Sequence, residues 1–191
     1  ERGTTISLAR GGGIGVKVGD GVTSANLNDL TIMGEGKGVG VNILGGDVTM
    51  DGVRISRVGR GVYMEKGSGM VTVNNMKMTG VVVGIDVKGS GTLKVNNGTI
   101  ELAKGGSVWG VYVGSEVTRA ELTGTKIVGE GSRKSGGDER IGVETESSGT
   151  VTLERVDISG VDIGVVATKG TLEIKGGAKI MVRLGGTGIK V

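Results

Sequence analysis

The chain has no cysteine, no histidine, no proline and no phenylalanine, and it carries one tryptophan and two tyrosines in 191 residues. Without Cys there is no disulfide framework and no thiolate chemistry. Export remains open, since exported bacterial repeat proteins commonly do without disulfides. Without His the usual general base near neutral pH is missing. No apolar run is long enough to span a bilayer as a helix. No signal peptide is visible, and the chain opens at Glu1-Arg2-Gly3. It is therefore expected to be a mature segment or a fragment of a longer protein. The net charge is +3, so the distribution of charge matters more than its total.

Glycine is abundant instead, at 42 residues. Disorder and collagen are the usual readings of such a content. Neither fits a chain without Pro or a three-residue period, in which Val, Ile, Leu and Met recur at regular places. The recurring unit is a four-residue phrase: glycine, apolar, polar, apolar. It stands at Gly15-Val16-Lys17-Val18, Gly40-Val41-Asn42-Ile43, Gly61-Val62-Tyr63-Met64, Gly84-Ile85-Asp86-Val87 and Gly110-Val111-Tyr112-Val113. Weaker or later copies begin at Gly142, Gly164 and Gly188. The phrase glycines are 25, 21, 23, 26, 32, 22 and 24 residues apart. A period of this size marks a solenoid.

Each repeat continues with a second apolar pair at spacing two. The pairs are Ala25 and Leu27, Val48 and Met50, Val71 and Val73, Leu93 and Val95, Ala120 and Leu122, Val151 and Leu153, and Leu172 and Ile174. Such short alternation is strand, not helix. Two corner residues follow, among them Asn28-Asp29, Asn74-Asn75 and Asn96-Asn97. Asn, Asp and Gly tolerate left-handed backbone and suit a sharp bend. A third short strand closes the unit, with Ile32, Ile55, Met78, Ile100, Ile127, Ile158 and Ile180 as its inward residues. Ile6-Ser7-Leu8 reads as the third strand of an earlier, incomplete unit. Three strands per unit predict one all-β domain over residues 1–191. It is a three-sided parallel β-helix of about seven to eight rungs, each of 21–26 residues. Leucine-rich repeats and calcium-binding nonapeptide repeats are excluded, because their spacings are missing.

The longest departure from the period lies between Gly110 and Gly142. Its excess falls at 129–140, a polar, glycine-rich and charged stretch containing Arg133, Lys134 and Arg140. A smaller insertion, 103–109, falls at the same corner one rung earlier and carries Trp109. Repeat-specific insertions map to loops on one face, often the binding face.

Phrases such as Val151-Thr152-Leu153-Glu154-Arg155-Val156-Asp157-Ile158, Val71-Thr72-Val73-Asn74-Asn75-Met76 and Gly110-Val111-Tyr112-Val113-Gly114 resemble the passenger repeats of Bartonella-type autotransporters. The resemblance covers nearly the whole chain. It implies a right-handed β-helix, exported through a carboxy-terminal β-barrel that is not in this chain, and displayed on the bacterial surface or released outside the cell. One short-passenger branch of the family is angiogenic, and it implies a vascular endothelial growth factor receptor as partner. The family supplies no catalytic residues.

The residues themselves point to binding rather than catalysis. Enzymatic β-helices need clustered carboxylates and usually aromatic sugar platforms. Here the outward carboxylates Asp86, Glu144, Asp157 and Glu173 read as single, scattered surface charges, and Asp157 with Asp162 is the closest approach to a pair. No cofactor or metal is expected. Methionines at Met50, Met76 and Met78 read as core filling, since no Cys or His joins them. Asn97-Gly98-Thr99 matches a glycosylation sequon but also sits at a corner. Tyr63 and Tyr112 fall on the outward position of the first strand, two rungs apart. They can anchor a partner or cover glycine-rich neighbours. The third strand points Arg54, Lys77, Lys126 and Lys179 outward. With the corner after it, including Arg57, Arg60, Arg133, Lys134 and Arg140, this side holds twelve basic and seven acidic residues. Charges about 5 Å apart on adjacent rungs add their potentials. The expected partners are a host-cell receptor with an acidic surface or an anionic glycosaminoglycan such as heparan sulfate. Nucleic acid is not expected, for want of stacking aromatics. The open end rung at Val191 also suggests end-to-end self-association.

Overall fold

The computed structural model describes residues 3–129 and 138–191. They form a β-solenoid of about eight turns, and among them there is no helix. All strand pairs are parallel and join one rung to the next.

Three faces make up the coil. The first carries the glycine phrases, in strands Ile14–Val18, Val39–Ile43, Arg60–Met64, Val83–Val87, Val108–Val113 and Arg140–Thr145. The second carries the alternating pairs, in strands Ser24–Asn28, Asp47–Asp51, Ser68–Asn74, Ser90–Asn96, Val117–Thr123, Thr150–Glu154 and Thr171–Lys175. The third is made of Thr5–Ser7, Thr31–Met33, Arg54–Ser56, Lys77–Val81, Thr99–Leu102 and Lys126–Val128. Near the carboxy-terminal end, Asp157–Ala167 and Lys179–Lys190 run through the third face into the first without a break. They join those two faces into one fourteen-stranded sheet, while the second face is a separate seven-stranded sheet.

Register follows the hydrophobic pattern, because a one-residue slip would turn the buried set outward. Ile6, Ile32, Ile55, Met78, Ile100, Ile127, Ile158 and Ile180 form one column. From Ile32 to Ile158 its members are at most 1% exposed. On the second face, Leu27, Met50, Val73, Val95, Leu122, Leu153 and Ile174 pair in sequence. The register also crosses the 32-residue spacing, since Ile127 pairs with Ile158 and Val111 with Val143.

The phrase glycines from Gly15 to Gly164 have a steric reason. They face the third-face column across the interior. A Cβ at Gly110 would lie 2.6 Å from Ile127 Cγ2 and 2.5 Å from the Gly142 carbonyl oxygen. At Gly142 it would meet Ile158 Cγ2 at 2.6 Å, and at Gly84 it would meet Ile100 Cγ2 at 2.7 Å. No side chain fits there.

The corner between the second and third faces is a column of left-handed residues. Asp29, Gly52, Asn75, Asn97, Gly124, Arg155 and Gly176 have φ between 51° and 67°. Polar side chains tie neighbouring rungs there. Asn96 Nδ2 donates to Asn74 Oδ1 and Asn75 Nδ2 donates to Asp51 Oδ1, both at 2.9 Å. Arg155 breaks the Asp/Asn/Gly pattern, and a long side chain with φ of 52° is strained.

Two stability predictions follow from this packing. Ile127→Asp places an unpaired carboxylate in the aliphatic column at a cost of ~4 kcal/mol or more, and Gly110→Ala costs about 1–3 kcal/mol by overpacking. Thermal melting checks both, and either variant melting within a degree or two of the parent would sink the proposed packing. Arg155→Gly should raise stability by about 1 kcal/mol, by removing left-handed strain from a non-glycine residue. A denaturant midpoint unchanged or lowered by Arg155→Gly would contradict this.

Candidate functional site

The outward residues of each face form columns too, one residue per rung at about 4.8 Å. Columns in which large and small side chains alternate leave hollows. One such hollow lies on the third face and one on the first.

The third-face column reads Thr31, Arg54, Lys77, Thr99, Lys126, Asp157, Lys179. Arg54, Lys77, Lys126 and Lys179 are all exposed, as the alternation predicts. Thr99 is short, so Lys77 and Lys126 stand on either side of a groove of about 420 Å³. Glu101 and Val128 line its edge. Asp157 lies between Lys126 and Lys179 in the column. The uninterrupted basic run is therefore Arg54, Lys77 and, across Thr99, Lys126.

The edge of this face differs from expectation. Arg133 and Lys134 lie outside the described residues. Arg140 is not an exposed edge contact: it is 4% exposed. Its strand pairs it with Val108, which is fully buried, so the rung register carries Arg140 inward. The Arg140 backbone N–H donates to Oδ2 of Asp162, itself 4% exposed, at 3.1 Å. Arg60 also leaves the basic side and turns onto the first face. The two insertions do meet, as their spacing suggests. Gly106 N–H donates to Asp138 Oδ2 at 3.2 Å, and Glu139 N–H donates to Ser107 Oγ at 3.4 Å.

On the first face two outward columns run side by side. One reads Lys17, Asn42, Tyr63, Asp86, Tyr112, Glu144, Val166. The other reads Ile14, Val39, Arg60, Val83, Trp109, Ile141. Val83 and Asp86 share a rung and are short. The rung before them carries Arg60 and Tyr63, and the rung after carries Trp109 and Tyr112. The result is a cleft of about 320 Å³ that takes in Arg60, Val83, Asp86, Lys88, Trp109, Tyr112 and Glu144.

The cleft is preorganised by contacts among its own walls. Arg60 Nε is 3.1 Å from Asp86 Oδ2, and the Arg60 guanidinium lies 4.4 Å from the Tyr63 ring centroid. Trp109 Nε1–H donates to Glu144 Oε2 at 2.7 Å, which fixes the indole. Lys88 Nζ lies 5.5 Å from the Tyr112 ring centroid. Asp86 is 4% exposed, and its Oδ1 has no hydrogen-bond partner among the described residues. Burial pushes the Asp86 carboxyl up, against the pull of Lys88 and Arg60. Burial, with the Glu146 carboxylate beside it, pushes the Tyr112 phenol up to about 12. Tyr63 is raised in the same way, by burial and then by Glu65.

All three aromatic residues of the chain thus stand around one carboxylate. Alternation along the strand places Tyr63 and Tyr112 outward, but Asp86 and Glu144 are not scattered singly. They share a column with Tyr112 between them, and Trp109 is bonded to one of them. The signal lay one residue before each phrase glycine, where Arg60, Val83 and Trp109 occupy equivalent positions. A larger hollow of about 580 Å³ lies near Gly3, Asp29 and Arg54, but no buried charged side chain lines it.

No protein-family model matches the chain, and no curated protein or solved structure matches it either.

The buried carboxylate makes a testable statement about pH. The folded value of Asp86 lies above its ordinary 3.8, so at pH between the two values the folded state holds a proton that the unfolded chain has released. Stability from this group is full below pH 3.8 and is lost as pH rises through the raised folded value. Asp86→Asn removes that titration while keeping the shape. The melting temperature of the variant should therefore gain on the parent's as pH rises from 3.8. Parallel pH profiles for the two proteins would show that Asp86 titrates normally.

Proposed function

We propose that this chain is an exported interaction module, a β-helical passenger that binds host-cell surfaces through its third face. The observation that carries the reading is the groove at Thr99, with exposed Lys77 and Lys126 on either side and exposed Arg54 one rung beyond Lys77. Cations held at rung spacing on a stiff sheet suit a polyanion with regularly spaced charges, such as heparan sulfate, or an acidic receptor surface. The likeness of the repeats to Bartonella-type autotransporter passengers supports display on the bacterial surface or release from it. Within that family the angiogenic branch, called BafA, supports the sharper reading of a ligand for a vascular endothelial growth factor receptor. The role is recognition, not catalysis. The even stacking of the rungs favours a passive adhesin or stalk as the second reading. Purified protein on endothelial cells separates the two: a ligand triggers receptor phosphorylation, and a stalk only adheres.

The basic face itself is tested with Arg54, Lys77 and Lys126 all changed to Glu. Their side chains are exposed, so the fold should survive, with melting unchanged. Binding to immobilised heparin should fall at least tenfold, chiefly through a slower on-rate, because steering sets encounter more than residence time. Parent binding should weaken as salt is raised. Equal binding by parent and variant at low and high salt would overturn the third-face reading.

A further inference from the structure

We infer that the first-face cleft is a second binding site, one that takes a neutral glycan, with a sugar ring seated over Val83 between Trp109 and Asp86. Four observations carry this. The cleft is walled by aromatic rings that self-contacts already hold in place: Trp109 through Glu144, and Tyr112 beside Lys88. Aromatic faces match the apolar C–H face of a pyranose, and their fixed geometry lowers the ordering cost of binding. The floor is apolar at Val83 and polar at Asp86, on the same rung. The Oδ1 atom of Asp86 is buried and receives no hydrogen bond from any described residue, in a side chain only 6% exposed. An acceptor left unpaired inside the protein is costly, and Asp86 lines the cleft, where a sugar hydroxyl is the donor a ligand would bring. Lastly, rung repeat and glycan repeat agree: the spacing of about 4.8 Å is close to the rise of one pyranose in an extended chain. A linear oligosaccharide can therefore lie along the coil axis and meet Asp86, Tyr112 and Glu144 in turn.

Charge selects the class of glycan. Asp86 and Glu144 both face the cleft, and Arg60 is already engaged by Asp86. An anionic sugar would meet two carboxylates with one partly committed cation and Lys88 to offset them. A neutral sugar meets no such repulsion and uses donors and acceptors of both kinds. The site is thus chemically distinct from the basic third face, and it stands or falls separately from the function proposed for that face. A cleft of about 320 Å³ lies at the lower end of ligand-site volumes and suits one or two rings with the rest of the chain running along the surface.

The single tryptophan makes the test direct, since its emission reports on Trp109 alone. The full chain is titrated with cellohexaose, chitohexaose and mannohexaose at low and high salt, with isothermal calorimetry in parallel. The expected result is a saturable change in emission with at least one of the three, unaffected by salt. Tyr112→Leu and Asp86→Ala should each weaken that binding tenfold or more, while Trp109→Leu should abolish the calorimetric signal. The Arg54, Lys77 and Lys126 triple Glu variant should bind the same sugar like the parent. Tyr112→Leu keeps bulk and removes no buried charge, so it remains informative if Asp86→Ala misfolds. No saturable change with any of the three sugars overturns the inference. So does binding that survives Tyr112→Leu, or binding that disappears with added salt or in the triple Glu variant.

Discussion

The third-face isoleucines press against bare backbone, and the rest of the coil depends on that close approach. Ile127 Cγ2 occupies the space a Cβ of Gly110 would need, and the same pairing recurs at Gly84 with Ile100 and at Gly142 with Ile158. A branched aliphatic on one face and a missing side chain on another are two halves of one contact. The contact lets the first and third faces approach closely, as dense interior packing requires. It also explains why so glycine-rich a chain is ordered. The entropy lost on fixing glycine is large, and here the phrase glycines from Gly15 to Gly164 are each offset by a neighbour that a side chain would strike.

A stiff interior hands control of the surface to outward residues, one per rung. Neither hollow needs a specialised loop. The third-face groove exists because Thr99 is shorter than Lys77 and Lys126. The first-face cleft exists because Val83 and Asp86 are shorter than the residues one rung away on either side. Opposite chemistry then follows from few substitutions. One column gathers cations over a small hydroxyl, and the other gathers rings over a buried carboxylate. Because all these residues sit on strands, they are held more precisely than loop residues would be.

Most of the frame is legible in the sequence, and the reason is physical. Period-2 alternation fixes inside and outside, and the glycine phrase fixes where each rung begins. The inward columns, the left-handed corner at Asn75 and Asn97 and the exposure of Arg54, Lys77, Lys126 and Lys179 all follow from those two signals. What is harder to read is pairing between neighbouring columns. Trp109 and Glu144 are 35 residues apart and in different columns, and only the crossing hydrogen bond brings them together. Arg140 misleads for a related reason. Its charge and its glycine-rich surroundings suggest a loop, yet the register puts it in the place of buried Val108. In a solenoid, position within the rung outweighs residue type.

The parallel pairing of every rung with the next also has a mechanical side. Hydrogen bonds between rungs point along the coil axis, so tension on the two ends loads them in series rather than side by side. Such a rod does not fail all at once. It gives way from an end, one turn at a time, and each released turn of 21–26 residues adds about 75 Å of extended chain. A tether of this kind limits peak force by lengthening, and it can rewind turn by turn on the template of the rungs still intact.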